Sequence, residues 1–338
     1  MRTTASQSAL LLAVVAAALT LLPAARAHAA PTKVWVANAG ADTSTCGSVS
    51  SPCRTFRQAI LNVAAGGEIG TLTAGDYGAV SVDRSVHITN DGTGEASILP
   101  LSGGVGVGVG AGVGDIVSLR GLVIDGQGVG AAGITIEQAS AVHVQNCVIR
   151  NFEGPGSGYG ISWLPFRSGQ LFISDTIIFN NGSGANTGGI QVSFLEPLTT
   201  NTPPVNLNLV LERVHLENNV VGLKADGSTT SAIGALRVTV RDSVVSGNAS
   251  NGIWSLRSAS GGPSTVVLVD RTAVLNNTGA GVLADGNGVL QLSNSTVEYN
   301  GTGASVAGGG RLFTYQNNVI DNNVGEDLSA AAIARILK

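Results

Sequence analysis

Charged residues are scarce in this sequence: they make up 12% of its 338 residues, with 18 Lys and Arg against 22 Asp and Glu. This low charge content argues against a fold built from ordinary surface helices, because the outer faces of such helices carry charged side chains. The basic residues are also scattered and form no stripe of the kind that binds nucleic-acid phosphates. No nucleic-acid partner is therefore expected.

Cysteine and histidine are also rare, with three and four copies, which leaves few ligands for a zinc site. Cys46 and Cys53 flank the loop CGSVSSPC with no His nearby, and in an oxidising compartment this pair predicts a local disulfide. Cys147 lies at an apolar repeat position and is predicted to be a buried free thiol. His143 and His215 are predicted to be isolated outward residues, so no metal is expected.

A long apolar run occurs only at the N-terminus. Arg2 gives a basic start, Ala9 to Leu22 are apolar and uncharged, and Ala27-His28-Ala29 fits a small-residue cleavage site. The run is shorter than the ~20 residues that a membrane-spanning helix needs. Residues 1–29 are therefore predicted to be a signal peptide, and the protein is predicted to be secreted or periplasmic with no membrane span.

Glycine is abundant, with 47 copies, and together with the low charge this favours short strands joined by tight turns. Eight copies of one pattern, such as VQNCVIRNF and VRDSVVSGN, follow each other at intervals of 23 to 38 residues. Internal repeats of this length indicate a solenoid. The copies begin at Leu119, Val144, Ile173, Leu211, Val240, Val269, Leu292 and Tyr315.

The first and sixth residues of each copy are apolar, and the fourth is mostly small or apolar. These three side chains can face one interior only if the chain bends near the third residue, because side chains of a straight strand alternate between its faces. The third residue is usually Asn or Asp, as in Asn146 and Asp242, and these residues tolerate a left-handed backbone. We therefore predict a corner at the third residue.

The ninth residue is Asn in six of the eight copies: Asn181, Asn219, Asn248, Asn277, Asn300 and Asn323. In coils stacked about 4.8 Å apart, these amides would form a ladder in which each bonds the next. A Gly and an apolar residue follow a few residues later, as in Gly222-Leu223, and open a third strand.

Three strands per copy predict an all-β fold, a right-handed parallel β-helix of about ten coils with three parallel sheets. A leucine-rich repeat would need a different leucine register and usually helices, and a β-propeller would need longer antiparallel blades.

Helices are predicted only at the two ends of the stack, where they would cover open strand edges. Pro52 to Ala65 place Phe56, Ile60 and Val63 on one face and predict a capping helix. Ser329 to Lys338 predict a C-terminal helix or cap. The glycine-rich stretch at 103–114, GGVGVGVGAGVG, is interpreted as a flexible or strand-like connector. The predicted segments after the signal peptide are 30–66 for the N-terminal segment and capping helix, 67–328 for the β-helix and 329–338 for the C-terminal cap.

The opening VWVANAGADTSTCGSVSSPCRTFRQAI, followed by GGEIGTLTAGDYGAVSV, resembles the start of many secreted proteins of the pectin-lyase-like superfamily. Together with the Asn and Gly-Ile copies, the resemblance covers nearly all of the chain after residue 29, and it is greatest to bacterial right-handed β-helix repeat proteins. It implies the fold strongly. It implies no single activity, because this fold carries lyases, hydrolases, esterases, adhesins and scaffolds.

The catalytic residues that the resemblance would imply are missing from the corresponding turns. Polygalacturonases of this fold carry paired carboxylates after the Asn turn, whereas the turns here read NNGSGANTGG, NNVVG, GNASNG and NNTGAG. Gly-His-Gly and Arg-x-Lys motifs are also absent, and so are the later motifs of pectin methylesterases. Pectate lyases need clustered acids for calcium. Here Asp226 and Asp285 would lie two coils apart, about 9–10 Å, too far to share one ion directly.

The best candidate surface lies on the third strands, where Gln191, Lys224 and Trp254 are predicted to point outward from successive coils, with Asp226 and Asp285 two residues further along. An exposed Trp beside amides and acids suits a sugar ligand. The alternative is a solvated face with one partly packed Trp; Trp163 is predicted to point inward.

Our leading hypothesis is a non-catalytic protein that binds an extracellular polysaccharide without a cofactor, or acts as a surface or matrix scaffold. The rival is a divergent polysaccharide lyase with Lys224 as base, Asp226 or Asp285 as acid partner and Ca²⁺ as cofactor. The sequence predicts no oligomeric state.

Overall fold

The computed structural model describes residues 30–195, 203–229 and 233–336. The predicted signal peptide, residues 1–29, lies outside the described residues. Within them the chain forms three parallel sheets of twelve, ten and nine strands, which confirms the predicted right-handed parallel β-helix and its ten or so coils. Strands are numbered β1 to β31 along the chain.

Each sheet stacks strands from successive coils, so that consecutive members are three strands apart in the sequence, except that β1 pairs with β2 and β29 with β31 at the two ends of the twelve-stranded sheet. The twelve-stranded sheet contains β1 Lys33–Val36, β2 Gly67–Thr71, β5 Val86–Thr89, β8 Ile116–Arg120, β11 Ala141–Gln145, β14 Gly169–Ser174, β17 Val205–Glu212, β20 Gly234–Arg241, β23 Ser264–Asp270, β26 Val289–Ser293, β29 Arg311–Tyr315 and β31 Ile333–Arg335. The ten-stranded sheet contains β3 Gly75–Asp76, β6 Ala96–Ile98, β9 Leu122–Asp125, β12 Val148–Arg150, β15 Ile177–Phe179, β18 His215–Glu217, β21 Val244–Ser246, β24 Ala273–Leu275, β27 Thr296–Glu298 and β30 Val319–Asp321. The nine-stranded sheet contains β4 Val80–Val82, β7 Val105–Gly110, β10 Ala132–Gln138, β13 Tyr159–Trp163, β16 Gly188–Ser193, β19 Val221–Gly227, β22 Ile253–Arg257, β25 Ala280–Gly286 and β28 Thr302–Val306.

The predicted corner separates the twelve-stranded from the ten-stranded sheet. The third residue of the copies adopts the left-handed backbone in Asn146 (φ 50°), Asp175 (φ 51°) and Asp242 (φ 51°). Side chains on both sides of the corner can therefore point into one core, as Val144 and Ile149 do, with 0% exposure each. Arg213 (φ 52°) and Arg271 take the same conformation, which is unusual for so long a side chain.

The Asn ladder is present at the turn between the ten-stranded and nine-stranded sheets. Asn248 donates from Nδ2 to Asn277 Oδ1 at 2.7 Å, and Asn277 donates to Asn300 Oδ1 at 2.8 Å. From Asn219 onward, each Oδ1 accepts the backbone N–H of the preceding coil's Asn, as Asn248 Oδ1 does from Asn219 at 3.0 Å, while Asn181 Oδ1 accepts the N–H of Phe152. The last member, Asn323, ends on the Asp327 carboxylate at 2.9 Å. Successive coils are thereby fixed in register.

The Gly that follows the ladder is required by close approach of the coils. A Cβ added at Gly222 would lie 2.5 Å from the carbonyl oxygen of Gly252 in the next coil and 3.1 Å from Asn248 Nδ2. Only glycine allows the two backbones and the amide to come this close.

A helix packs at the N-terminal end as expected, but it is shorter than the predicted 52–65. Helix α1, Phe56–Asn62, begins at Thr55, whose hydroxyl accepts the N–H of Gln58. Phe56 and Ile60 are buried against the first coils. The disulfide between Cys46 and Cys53 forms as predicted.

The C-terminal end differs from the prediction. No helix forms in the described part of 329–338; instead β31 pairs with β29 in parallel, with Phe313 opposite Ile333 and Tyr315 opposite Arg335. A helix of about ten residues is marginal in water even when rich in Ala. Because the open edge of β29 offers backbone hydrogen-bond partners, the segment pairs with it as a strand and does not form a helix.

Candidate functional site

The predicted site residues lie on the outward face of the nine-stranded sheet. Gln191, Lys224 and Trp254 are direct neighbours on β16, β19 and β22. Asp226 lies two residues after Lys224 on the same face. We call Gln191, Lys224, Asp226 and Trp254 the Lys224 cluster.

Lys224 and Asp226 form an ion pair that is almost closed to solvent. Lys224 Nζ lies 3.0 Å from Asp226 Oδ2, and the two residues are 7% and 8% exposed. Ser228 donates to Asp226 Oδ1 from its backbone N–H at 2.9 Å and from its hydroxyl at 2.6 Å. Both carboxylate oxygens therefore have partners, as a buried charge requires.

Trp254 holds the other side of the Lys224 ammonium. Nζ lies 4.7 Å from the centroid of the indole ring, within the range of a cation–π interaction. The half-buried indole is thus fixed beside the ion pair.

Two polar atoms of the cluster are buried without a hydrogen-bond partner among the described residues: Gln191 Oε1, an acceptor, and Trp254 Nε1, a donor. A third atom of this kind, Arg241 Nε, belongs to the twelve-stranded sheet. Buried polar groups are satisfied in the great majority of cases. Two of these exceptions therefore lie together in the Lys224 cluster.

Sequence reasoning missed two residues of this site. Ser228 belongs to an Asp-Gly-Ser turn in which the Asp side chain accepts the N–H two residues on, and the sequence 226–228 carries that signal. Tyr159 on β13 is the second: its burial and then the charge of Asp226 raise the pKa of its phenol. No local pattern in the sequence points to Tyr159, because three coils must stack to bring it near.

Asp285 does not join the Lys224 cluster. In register it is separated from Asp226 by Leu256 on β22, two strand spacings away, and its Oδ1 accepts the N–H of Gly286 at 2.7 Å. In the parts of the chain that the structure describes, no three His, Cys, Asp or Glu side chains come together as metal ligands.

The other singled-out residues lie where the sequence predicted. Trp163 and Cys147 are in the core, at 2% and 1% exposure, and burial raises the pKa of the Cys147 thiol to about 11. His143 points outward from β11 and stacks on Phe172 at 4.9 Å, while burial and then His87 lower its pKa. His215 points outward and lies 2.8 Å from Glu217.

Within 30–195, 203–229 and 233–336, no helix has the length and apolarity that crossing a bilayer would take.

Comparison with known proteins finds similarity in structure only. No protein-family model and no curated protein matches the chain. Pectate lyase Pel9A superposes with a TM-score of 0.60 over 91% of this chain and 80% of its own, at 14% identity. Two further matches have lower TM-scores. The GH136 lacto-N-biosidase from Eubacterium ramulus gives 0.45 at 10% identity, over 90% of this chain and 68% of its own. The A-module of the Azotobacter vinelandii mannuronan C-5 epimerase AlgE4 gives 0.44 at 15% identity, over 80% of this chain and 86% of its own.

At 14% identity the likeness to Pel9A concerns the fold alone. The three parallel sheets and this likeness agree with the resemblance seen in the sequence, and the chain is a right-handed parallel β-helix protein of pectin-lyase-like fold.

Proposed function

We propose that the protein binds an extracellular polysaccharide through the Lys224 cluster and does so without catalysis. The observation that carries the proposal is the pair of buried, unpartnered atoms, Gln191 Oε1 and Trp254 Nε1. A sugar hydroxyl both donates and accepts hydrogen bonds, so hydroxyls on one chain could satisfy both atoms once the Gln191 and Trp254 side chains turn to expose them, because both atoms are closed to solvent without a ligand.

The ion pair serves this function by positioning the indole. Lys224 is held by Asp226 and in turn contacts the Trp254 ring. A ring fixed before the ligand arrives loses little conformational freedom on binding. The apolar face of a sugar ring can then pack on the part of the indole that remains exposed.

The same contacts oppose the rival hypothesis of a lyase. Lys224 Nζ donates to Asp226 and contacts the Trp254 ring as a cation. A general base must instead be unprotonated and within reach of the substrate. The described residues therefore favour Lys224 as a positioning group.

Two further observations support the ligand class and the location. A protein of the same fold is named a pectate lyase, so this fold can present a face to a polysaccharide. The Cys46–Cys53 disulfide fits an oxidising compartment, in line with secretion or a periplasmic location.

Binding to a panel of soluble polysaccharides, measured by affinity electrophoresis and calorimetry, tests the proposal. We expect at least one ligand, with the affinity reduced ~10-fold or more in Trp254→Ala, as a lost aromatic anchor implies. Phe172→Ala is the matched control, because Phe172 is a half-buried aromatic on the outward face of another sheet. Equal affinities for all three proteins would overturn the site.

The same preparations, incubated with uronate polymers with and without calcium, test the non-catalytic part. We expect no rise in ultraviolet absorbance from unsaturated products. A rise that Lys224→Met abolishes would establish the lyase instead.

A further inference from the structure

The outward face of the nine-stranded sheet has an open depression in its N-terminal half, away from the Lys224 cluster. A cavity of about 250 Å³ lies over β4, β7 and β10. It adjoins a second cavity of about 540 Å³ beside helix α1, and both are lined by Ser81, Asp83 and Gly108. We call the first cavity, with Ser81, Asp83, Gly108, Thr135 and Glu137, the N-terminal trough.

The floor of the trough is a glycine that packing does not require. Gly108 lies between Ser81 on β4 and Thr135 on β10 in register. A Cβ placed there would lie 3.8 Å from Thr135 Oγ1 and 3.9 Å from Ser81 Oγ, which is ordinary contact distance. Because glycine weakens a strand, a glycine without a steric reason is consistent with close approach of a ligand.

The walls of the trough are hydroxyls and carboxylates. Ser81 and Thr135 provide hydroxyl groups on either side of Gly108. Asp83 and Glu137 lie at the end of the same strands and are exposed. Arg84 binds both oxygens of Asp83, at 2.7 and 3.1 Å, and holds the pKa of that carboxyl below its usual value.

This chemistry selects the ligand by charge. Carboxylates and hydroxyls accept hydrogen bonds from sugar hydroxyls. Asp83 is paired with Arg84, whereas Glu137 has no ion-pair partner among the described residues. A uronate unit in the trough would bring its own carboxylate against Glu137, and like charges at close range are unfavourable. The trough is smaller than the ~300 Å³ of the smallest drug-sized sites, so it suits a single sugar ring.

We infer that the N-terminal trough is a second carbohydrate subsite, specific for a neutral, hydroxyl-rich sugar unit. This inference rests on the proposed function for the class of ligand, a polysaccharide. It adds a second contact site on the sheet and a preference for uncharged sugars. Gly108 and Lys224 belong to β7 and β19, which are four strand spacings apart in one sheet, or about 19 Å. One extended neutral chain of several units can therefore contact both places.

Gly108→Val tests the trough, because its side chain fills the cavity at a position where a Cβ fits. Calorimetric titrations would use neutral hexasaccharides of β-1,4-glucan, β-1,4-mannan and β-1,4-galactan, and hexagalacturonate for comparison. We expect Gly108→Val to unfold at a temperature no lower than the unmodified protein and to bind the preferred neutral hexasaccharide at least 10-fold more weakly. Ser118→Val, on the outward face of β8 in the twelve-stranded sheet, is the matched control and should bind normally.

The outcomes separate this inference from the proposed function. Weaker binding in Trp254→Ala with unchanged binding in Gly108→Val would leave the proposed function standing and overturn the trough. No binding of any neutral hexasaccharide would overturn the trough as a neutral-sugar subsite, and it would overturn the proposed function as well only if hexagalacturonate and the polysaccharide panel also failed to bind. Tighter binding of hexagalacturonate than of every neutral hexasaccharide would overturn the charge selection. Weak hexagalacturonate binding that Glu137→Gln improves at least 3-fold would support it.

Discussion

The Asn ladder and the Lys224 cluster both place polar side chains out of contact with water, but they differ in how completely these side chains are hydrogen-bonded. In the ladder, Asn248 has its oxygen and its Nδ2 engaged by neighbouring coils at 2.7 to 3.1 Å. In the cluster, the ion pair is satisfied while Gln191 Oε1 and Trp254 Nε1 have no described partner. The complete network belongs to the architecture, and the incomplete one leaves capacity for a ligand.

The two regions also differ in how they repeat. The ladder uses the same residue at the same position of successive coils, so that every rung supports the next. The cluster uses Gln191, Lys224 and Trp254 at equivalent positions. Stacking of coils does not require a different side chain in each coil at the same register position. We therefore assign these three residues to binding.

The largest effect is expected for Asn248→Ala. The substitution leaves the Asn219 N–H and the Leu216 carbonyl without their partner and removes the amide donated to Asn277. Each buried group left unsatisfied costs about 1–3 kcal/mol, so urea denaturation should show a loss of about 3 kcal/mol or more. Asn323→Ala, at the half-buried end of the ladder, should cost far less because water can replace the amide. Equal losses in the two variants would contradict the ladder's role.

The second effect concerns the buried ion pair. Lys224→Met should lower the free energy of unfolding by about 3 kcal/mol, because it leaves Asp226 charged and nearly closed to water. Lys224→Met combined with Asp226→Asn should recover most of that loss, since Ser228 can still bond the amide oxygen. A double-mutant cycle by chemical denaturation measures the coupling. Additive losses would mean that the pair is not coupled.

A smaller effect is expected for Trp254→Phe, which keeps an aromatic ring and removes the unpartnered Nε1. The free energy of unfolding should change by less than about 1 kcal/mol, because no existing hydrogen bond is lost. Affinity for the polysaccharide should nevertheless fall about 10-fold. Thermal unfolding and binding calorimetry on one preparation measure stability and affinity separately. A large loss of stability without a loss of affinity would mean that Nε1 stabilises the fold and does not bind the ligand.

The smallest effect is expected at the exposed corner, where Arg271 binds both oxygens of Asp242 at 2.8 and 3.0 Å. Its guanidinium lowers the pKa of Asp242 from 3.8 in the folded state. The contribution to stability is therefore present above that pH and is lost as the pH falls through the lowered folded-state pKa. Arg271→Gln should make stability decline less steeply below about pH 4, as followed by acid titration of circular dichroism. An unchanged slope would show that solvent screens the pair completely.

The sequence predicted the repeating parts of the molecule because each repeat position has one physical requirement. Asp242 at the corner and Gly222 at the start of the third strand are examples, and the structure has both where they were predicted. Arg213 and Arg271 at the same corner were not recognised, since Arg rarely adopts this backbone. Both form ion pairs with an aspartate of the preceding coil, Arg213 with Asp175 and Arg271 with Asp242.

The remaining features depend on contacts that no local pattern encodes. The predicted C-terminal helix was wrong because the open edge of β29 outweighs the helix propensity of the Ala-rich segment. The Lys224–Asp226 pair was within reach of sequence reasoning, because residues two apart on a strand share a face. The N-terminal trough was not, because residues 103–114 were interpreted as a flexible or strand-like connector and not as a member of a sheet. The trough also depends on the absence of a side chain at Gly108, which a local pattern does not reveal.

The central claim is that the outward face of the nine-stranded sheet is the binding surface. Amide hydrogen exchange, measured with and without a bound neutral oligosaccharide, tests this claim most directly. The account predicts slower amide exchange in β16, β19 and β22, together with β7 and β10, and unchanged exchange in β14, β17 and β20 of the twelve-stranded sheet. Protection confined to the twelve-stranded or ten-stranded sheet would contradict the claim.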